Sequence, residues 1–221
     1  MTDVEMARIP AGRVLRGDLR GAQRREIVVD AFEIGVYPIT EEQMAELLGI
    51  PSRYPRRPAT HLSWLRAIRL CNALSEWEGL DPVYSFDGEV VTGDPESDGF
   101  RLPTEDEWEY ACRAGSTSSA YGPVREVAWT AADGLRFPAE VGGRMPNLHG
   151  LFDTLGNVWE WCADPYDPEG ESDARVFRGG GWSDAPAQVR AAARRGGLQR
   201  EAFDDVGVRV ARGTNRVSPL S

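Results

Sequence analysis

Three segments of this chain carry the residues that begin and end α-helices, and this pattern limits the fold more than any other feature. Each follows a Ser or Thr that can cap the first turn, and each is followed by glycine. Two also have Gln or Glu three residues after the cap, which makes a capping box. The predicted helices are residues 41–48, 64–78 and 105–114. Helices this short leave most of the 221 residues to strands and loops.

Short runs rich in β-branched residues lie before and after the helices. Residues 26–29 and 32–36 are the early candidates, and residues 206–210 alternate valine with glycine and arginine. An alternation of period two predicts a strand with one buried face. The 24 glycines and 15 prolines are scattered rather than collected in a linker. We therefore predict one α+β domain over residues 1–221, with short strands, about three helices, much irregular loop and paired termini.

Composition argues against several classes of function. All 25 basic residues are Arg, so neither a Schiff-base lysine nor a P-loop lysine is present. The net charge of -10 argues against non-specific nucleic-acid binding, which needs a basic surface. The chain has no apolar run long enough to span a bilayer, and its acidic start lacks a secretory pattern. We therefore expect a cytoplasmic location with no nucleic-acid or membrane partner.

Several motifs, in order along the chain, resemble those of the formylglycine-generating-enzyme (sulfatase-modifying factor) family. The most recognisable are residues 99–115 (GFRLPTEDEWEYACRAG) and 147–161 (NLHGLFDTLGNVWEW). Shorter matches are IPAG at 9–12, FEIGVYPIT at 32–40, HLSW at 61–64, RGGGW at 178–182 and GVRV at 207–210. The resemblance covers about residues 7–212 and implies the C-type-lectin-like fold.

The resemblance also implies a calcium site in the central loop. Asp153 and Glu160 would supply carboxylate oxygens, while Gly156 and Val158 would supply backbone carbonyls, a mixture that suits this hard ion. The alternative is that the two carboxylates only cap and pair locally. The family's second calcium site is not expected, because residues 121–141 form a short loop poor in matching Asn or Asp.

The two cysteines that hold copper in the family's aerobic enzyme are missing. The matching stretch, residues 182–195, contains no cysteine. Copper chemistry of that kind is therefore not expected, because Cu(I) needs soft thiolate ligands. The three cysteines present, Cys71, Cys112 and Cys162, are odd in number and widely spaced, which predicts buried thiols. His61 and His149 are too few for the three-histidine iron site of another branch of the family.

The segment that closes the family's cleft is left as the candidate ligand surface. Arginines there suit carboxylate or phosphate groups, although arginines in this stretch also form internal salt bridges in the family. The candidate residues are Trp182, Asp184, Gln188, Arg190, Arg194 and Arg195, with Arg200 nearby. We expect a module that binds a peptide or protein ligand. The alternatives are an oxidoreductase with a non-standard or partner-supplied metal, and a purely structural partner of another protein.

Overall fold

A computed structural model describes residues 3–17, 25–49, 51–88 and 90–213. The strands are β1 (Met6–Ile9), β2 (Gly12–Arg16), β3 (Arg25–Val29), β4 (Phe32–Gly35), β5 (Tyr84–Asp87), β6 (Val90–Gly93), β7 (Trp159–Pro165), β8 (Ala174–Arg178), β9 (Arg194–Leu198), β10 (Val206–Gly207) and β11 (Ala211–Gly213). The helices are α1 (Glu41–Leu48), α2 (Trp64–Trp77), α3 (Glu105–Arg113) and α4 (Val124–Val127), with a 3-10 turn at Ala131–Asp133. The mixture confirms the predicted α+β class.

The three predicted helices are α1, α2 and α3, and their caps form as the sequence predicts. In α3, the Glu107 amide donates to Thr104 Oγ1 at 3.1 Å, and the Thr104 amide donates to the Glu107 carboxylate at 2.8 Å. The corresponding box opens α1. Both α2 and α3 end one residue before the predicted position, because the last predicted residue is the C-cap in each.

Both ends of the described chain meet in one sheet. Strand β4 lies between β1 and β11 and pairs antiparallel with each. The first and last strands therefore do not pair with each other but share β4. A second sheet has the order β10-β7-β8-β9, in which β10 runs parallel to β7 and the other pairs are antiparallel. Two hairpins, β2–β3 and β5–β6, complete the described strands.

The prediction of one extended strand with a single buried face at residues 206–210 was wrong. Only Val206 and Gly207 pair as a strand, and every residue from 206 to 210 is buried. Arg209, expected on the solvent side, is fully buried beside Glu160. The period-two rule failed because an internal carboxylate neutralises the arginine, so this segment has no polar face.

Strand β7 contributes two buried tryptophans to the hydrophobic core. Phe177 lies edge-on to Trp159 and to Trp161, with ring centroids 5.4 Å and 5.1 Å apart. The Trp161 indole donates to the carbonyl of Leu62 at 2.9 Å, just before α2. These contacts fix the strand that follows the central loop (residues 147–158), and so they fix the position where that loop ends. None of the helices in the described ranges has both the length and the apolar character of a bilayer-spanning segment.

Candidate functional site

The central loop, residues 147–158, is shaped by its own polar side chains. The buried amide of Asn147 donates to the carbonyl of Ala111 at 2.8 Å and accepts from the amide of His149 at 2.9 Å. Asp153 and Asn157 both adopt positive φ angles, 57° and 59°. Short polar side chains tolerate this left-handed region better than others do, which explains why Asp and Asn stand at these turns.

Asp153 is a buried carboxylate with one oxygen in use. Its Oδ2 accepts a hydrogen bond from the Gly142 amide at 2.7 Å. Its Oδ1 is buried and meets no donor in hydrogen-bonding geometry within the described part of the chain. Burial raises the pKa of Asp153 to about 6 and the charge of Glu160 adds to the rise, against the opposing effects of the Gly142 amide, the charge of Arg209 and the Asn157 side chain. A cation beside Oδ1 would favour the ionised carboxylate and so oppose this rise in pKa.

Glu160 is already paired. Arg209 donates to both of its oxygens, with Nη2–Oε1 and Nε–Oε2 distances of 2.7 Å and 2.9 Å. The Trp108 indole adds a third donor at 2.6 Å. Both members of the ion pair are completely buried. Glu160 therefore resembles the local-pairing alternative more closely than an open metal ligand.

Gly156 and Val158 lie in the same loop and are buried. Gly156 has a φ of 71°, and a Cβ there would lie 2.2 Å from the carbonyl oxygen of Trp129. Glycine is thus required for both conformation and space. Nowhere in the described ranges do three His, Cys, Asp or Glu side chains converge as metal ligands. A calcium site here would depend on the Asp153 carboxylate and on main-chain carbonyls, because Glu160 is paired with Arg209.

Asp184 lies in the closing segment, residues 178–195, and was predicted to be part of the ligand surface. Its side chain is instead buried and accepts three hydrogen bonds. Its Oδ2 accepts from the Trp159 indole at 2.7 Å and from the Gly181 amide at 2.9 Å. Its Oδ1 accepts from Arg195 Nη2 at 2.8 Å. Asp184 therefore fixes the shape of the segment and the position of Arg195.

The two neighbouring arginines have different surroundings. Arg194 donates to Glu105 and to the carbonyl of Tyr166, both at 2.8 Å, and lies over the Tyr166 ring at 4.4 Å. It thus makes the internal salt bridge considered as the alternative. The Arg195 side chain stays 46% exposed, with its guanidinium 4.6 Å from the Trp159 ring centre. Arg195 is held in place and still accessible.

The other predicted ligand residues vary in exposure. Trp182 is half-buried and its amide donates to the carbonyl of Asn157 at 2.8 Å, which ties the closing segment to the central loop. Gln188 is exposed and accepts from the Ala185 amide at 3.2 Å. Arg190 is half-buried and Arg200 is exposed.

Asp205 belongs to this surface and was not predicted. Its carbonyl accepts from the Trp159 amide at 2.8 Å. Burial raises the pKa of its carboxyl, and the charges of Asp204 and Asp184 add to the rise. No motif marks this residue, because it reaches Asp184 only through the pairing of β10 with β7.

The cysteines are unavailable for chemistry in the folded protein. All three are free and completely buried, in α2, α3 and β7. Burial raises the pKa of each thiol, that of Cys112 to about 12. His149 is half-buried beside Tyr110, and burial lowers its pKa. His61 is exposed in the loop before α2.

Comparison with known proteins covers nearly the whole chain. The model of the sulfatase-modifying factor enzyme 1-like domain matches residues 2–214. The chaperone protein LppX of Paenibacillus barcinonensis is 31% identical over 72% of this chain and 71% of its own length. The inactive C-alpha-formylglycine-generating enzyme 2 of Mus musculus is 29% identical over 97% and 87%, respectively. Among solved structures, Treponema denticola variable protein 1 is 26% identical, with a TM-score of 0.85 and 94% of each chain covered.

Proposed function

Because the chain belongs to the family of sulfatase-modifying factor enzyme 1-like domains, we propose that it is a module that binds a peptide or protein ligand and has no formylglycine-generating activity. Its fold is the C-type-lectin-like α+β fold that the motifs implied. A similar mouse protein is named as inactive, which supports the loss of catalysis.

One observation carries this proposal. The closing segment has no cysteine, and it presents Arg195, which Asp184 holds in place and which is still accessible. The three thiols elsewhere are buried and have raised pKa values, so they supply no thiolate for copper. The free thiols also support the proposed cytoplasmic location, since disulfides are rare in reducing compartments.

The recognition chemistry would come from Trp182 and Arg195. Arginine and tryptophan are the residue types that contribute most to binding hot spots. Arg195 is oriented by Asp184 and by the Trp159 ring, so little side-chain freedom remains to be lost when a ligand binds. A carboxylate of a peptide ligand fits the remaining donors of its guanidinium.

A selection experiment tests the binding function. Peptides would be selected on the wild-type protein from a displayed random library and then measured on a Trp182→Ala/Arg195→Ala double variant. We expect the double variant to bind them about tenfold more weakly or worse. The Arg8→Ala variant, which removes a charge from an exposed side chain on β1, should bind normally. Equal binding by the wild type and the double variant would assign recognition to another surface.

An activity assay tests the loss of catalysis separately. A cysteine-containing sulfatase peptide would be incubated with the protein, copper and oxygen, and aldehyde would be detected by hydrazide capture and mass spectrometry. We expect no aldehyde. Aldehyde formation would contradict the proposal and favour the oxidoreductase alternative.

We also propose that calcium binds in the central loop, chiefly through Asp153. The unsatisfied buried oxygen of this residue supports the proposal, while Arg209 already neutralises Glu160. Gly156 and Val158 would contribute carbonyl oxygens, as in the oxygen-rich sites that calcium prefers. When bound, the ion would supply positive charge that fixes the loop, and it would take no part in a reaction.

Thermal unfolding with calcium and with a chelator tests this site. At a hundredfold excess over Kd, a ligand of the native state adds about 2.7 kcal/mol, or roughly 5–10 °C for a protein of this size. Asp153→Asn should abolish the response, whereas Asp87→Asn on the exposed end of β5 should preserve it. An unchanged melting temperature of the wild type would show that no calcium binds.

A further inference from the structure

A guanidinium group lies between two exposed aromatic rings, and all three side chains belong to loops outside residues 178–195. The Arg57 guanidinium carbon is 3.8 Å from the centre of the Tyr54 ring and 3.9 Å from that of Phe137. The rings are nearly parallel, with centroids 6.4 Å apart and planes at 17°. Tyr54 is 39% exposed and Phe137 is 48% exposed. The arrangement covers the faces of the guanidinium, so that its edge carries any further contact.

The two loops that carry these side chains are joined and anchored. The amide of Val141 donates to the carbonyl of Arg56 at 2.9 Å. The Glu41 carboxylate, at the start of α1, accepts from the Tyr54 amide at 3.1 Å. The side chain of Asn157 accepts from the Ala139 amide at 2.9 Å. The loops of the ring–guanidinium–ring stack are therefore anchored by main-chain amides that donate to side chains of α1 and of the central loop.

Positive charge is concentrated around this stack. Arg53, Arg56 and Arg136 lie next to its members in the sequence, and Arg53 also approaches the Tyr54 ring at 5.3 Å. Arg56 pairs with Glu140 at 3.4 Å, with both side chains largely exposed. Within the described residues, Arg53, Arg57 and Arg136 form no ion pair. We call Arg53, Tyr54, Arg56, Arg57, Arg136 and Phe137 the Arg57 patch.

The residue types of the Arg57 patch suit recognition of an anionic partner. Stacking fixes the guanidinium plane without using its N–H donors, which match the two oxygens of a carboxylate. The flanking rings offer apolar area at little cost in side-chain entropy. Exposed aromatic rings around an arginine with no ion pair in the described chain are thus a preorganised contact surface, whereas a structural arginine would be paired internally, as Arg194 is.

We propose that the Arg57 patch is a docking site for an acidic peptide segment, with an Asp or Glu carboxylate of the partner bound by the edge of Arg57. Charge decides between a peptide and a nucleic acid. The protein carries a net charge of -10, so a long polyanion would be repelled outside the patch, whereas a short acidic segment meets only the patch. This docking site lies beyond the proposed closing-segment function and does not depend on it.

Fluorescence polarisation with a short, glutamate-rich synthetic peptide tests the docking site. The matched probe is the same peptide with every glutamate replaced by glutamine. We expect Arg57→Ala to weaken binding of the glutamate peptide about tenfold. Arg57→Lys should lose most of the same affinity, because lysine keeps the charge but lacks the planar fork. Arg8→Ala, which removes an exposed charge from β1, should have little effect.

Four results would count against the proposal. Equal affinity for the glutamate and glutamine peptides, or equal losses in Arg57→Ala and Arg8→Ala, would show that the patch is not a carboxylate site. Tighter binding of single-stranded DNA than of the peptide would assign the patch to nucleic acid. Self-association of the wild type that Arg57→Ala abolishes would assign it to a second copy.

Two controls accompany these measurements. Unchanged thermal unfolding of Arg57→Ala shows that a loss of peptide binding is local to the patch. Retained binding by Trp182→Ala/Arg195→Ala shows that the peptide does not bind through the closing segment.

Discussion

The guanidinium of Arg209 satisfies its hydrogen-bonding donors inside the protein. Besides Glu160, it donates to the carbonyls of Gly35 and Val36, at 2.7 Å and 2.8 Å, and to that of Phe152 at 2.7 Å. One side chain therefore connects β4, the central loop and β7. A buried ion pair with this many hydrogen bonds favours one arrangement of these elements, because any other would leave a buried charge unpaired.

Replacing Glu160 with Gln should reveal this dependence. The variant leaves the buried charge of Arg209 without a counter-ion, and we expect a loss of about 3–5 kcal/mol in the free energy of unfolding. Urea titration followed by circular dichroism measures the loss. Glu140→Gln, which removes the same charge from an exposed pair with Arg56, should cost less than about 0.5 kcal/mol. Similar losses in the two variants would contradict the role given to the buried pair.

At the scale of single residues, sequence reasoning succeeded where the chemistry is local and failed where a distant partner decides. The buried thiols were predicted because each cysteine lies in an apolar or helical stretch. Arg209 was not assigned to the interior, and an internal salt bridge of Arg194 was only the alternative, because their carboxylate partners lie 49 and 89 positions away in the sequence. Nothing in the neighbouring residues signals such a pair.

Helices α1, α2 and α3 show the opposite balance, whereas the single-turn α4 was not predicted. Their starts were predicted to the residue, because capping needs only a side chain and an amide three positions apart. The Arg57 patch was not found, because its rings come from loops that are far apart in the sequence. Helix starts are therefore readable from the sequence, whereas contacts between loops depend on the assembled fold.

The capping box of α3 should contribute measurable stability. Thr104→Ala removes the oxygen that accepts from the Glu107 amide, and we expect a cost of about 1 kcal/mol. Thr104→Ser retains the oxygen and should recover most of that cost. Chemical unfolding of both variants provides the comparison. Equal losses would show that packing of the threonine methyl group, rather than the cap, sets the effect.

The junction of β7 with α3 should make stability depend on pH. Asp164 Oδ2 accepts from the Glu105 amide at 2.6 Å, and burial raises the pKa of this carboxyl, with further increases from the charges of Glu105 and Asp106. A raised folded-state pKa means that stability is lost as pH rises from the unfolded-state value of about 3.9 through the folded one. Asp164→Asn removes this loss and keeps an acceptor oxygen.

The stability of Asp164→Asn relative to the wild type should therefore be greater at about pH 7 than at about pH 4. Urea titrations at both values measure the difference. Asp87→Asn, at an exposed position on β5, should follow the wild type at both. A relative stability of Asp164→Asn that falls as the pH rises would contradict the assigned direction.

The whole molecule is expected to unfold as one cooperative unit, and its cysteines can report this. Cys71, Cys112 and Cys162 lie in three different elements and are each 0% exposed. In native buffer, a thiol reagent should label none of them on the timescale that labels the denatured chain completely, because each thiol needs a large opening to react. In moderate urea, all three should react at the same rate, as followed by mass spectrometry of the separated peptides. Glu160→Gln should accelerate the three labelling reactions equally. Early labelling of one thiol would show that its element opens alone. It would then follow that residues 1–221 are not a single cooperative domain.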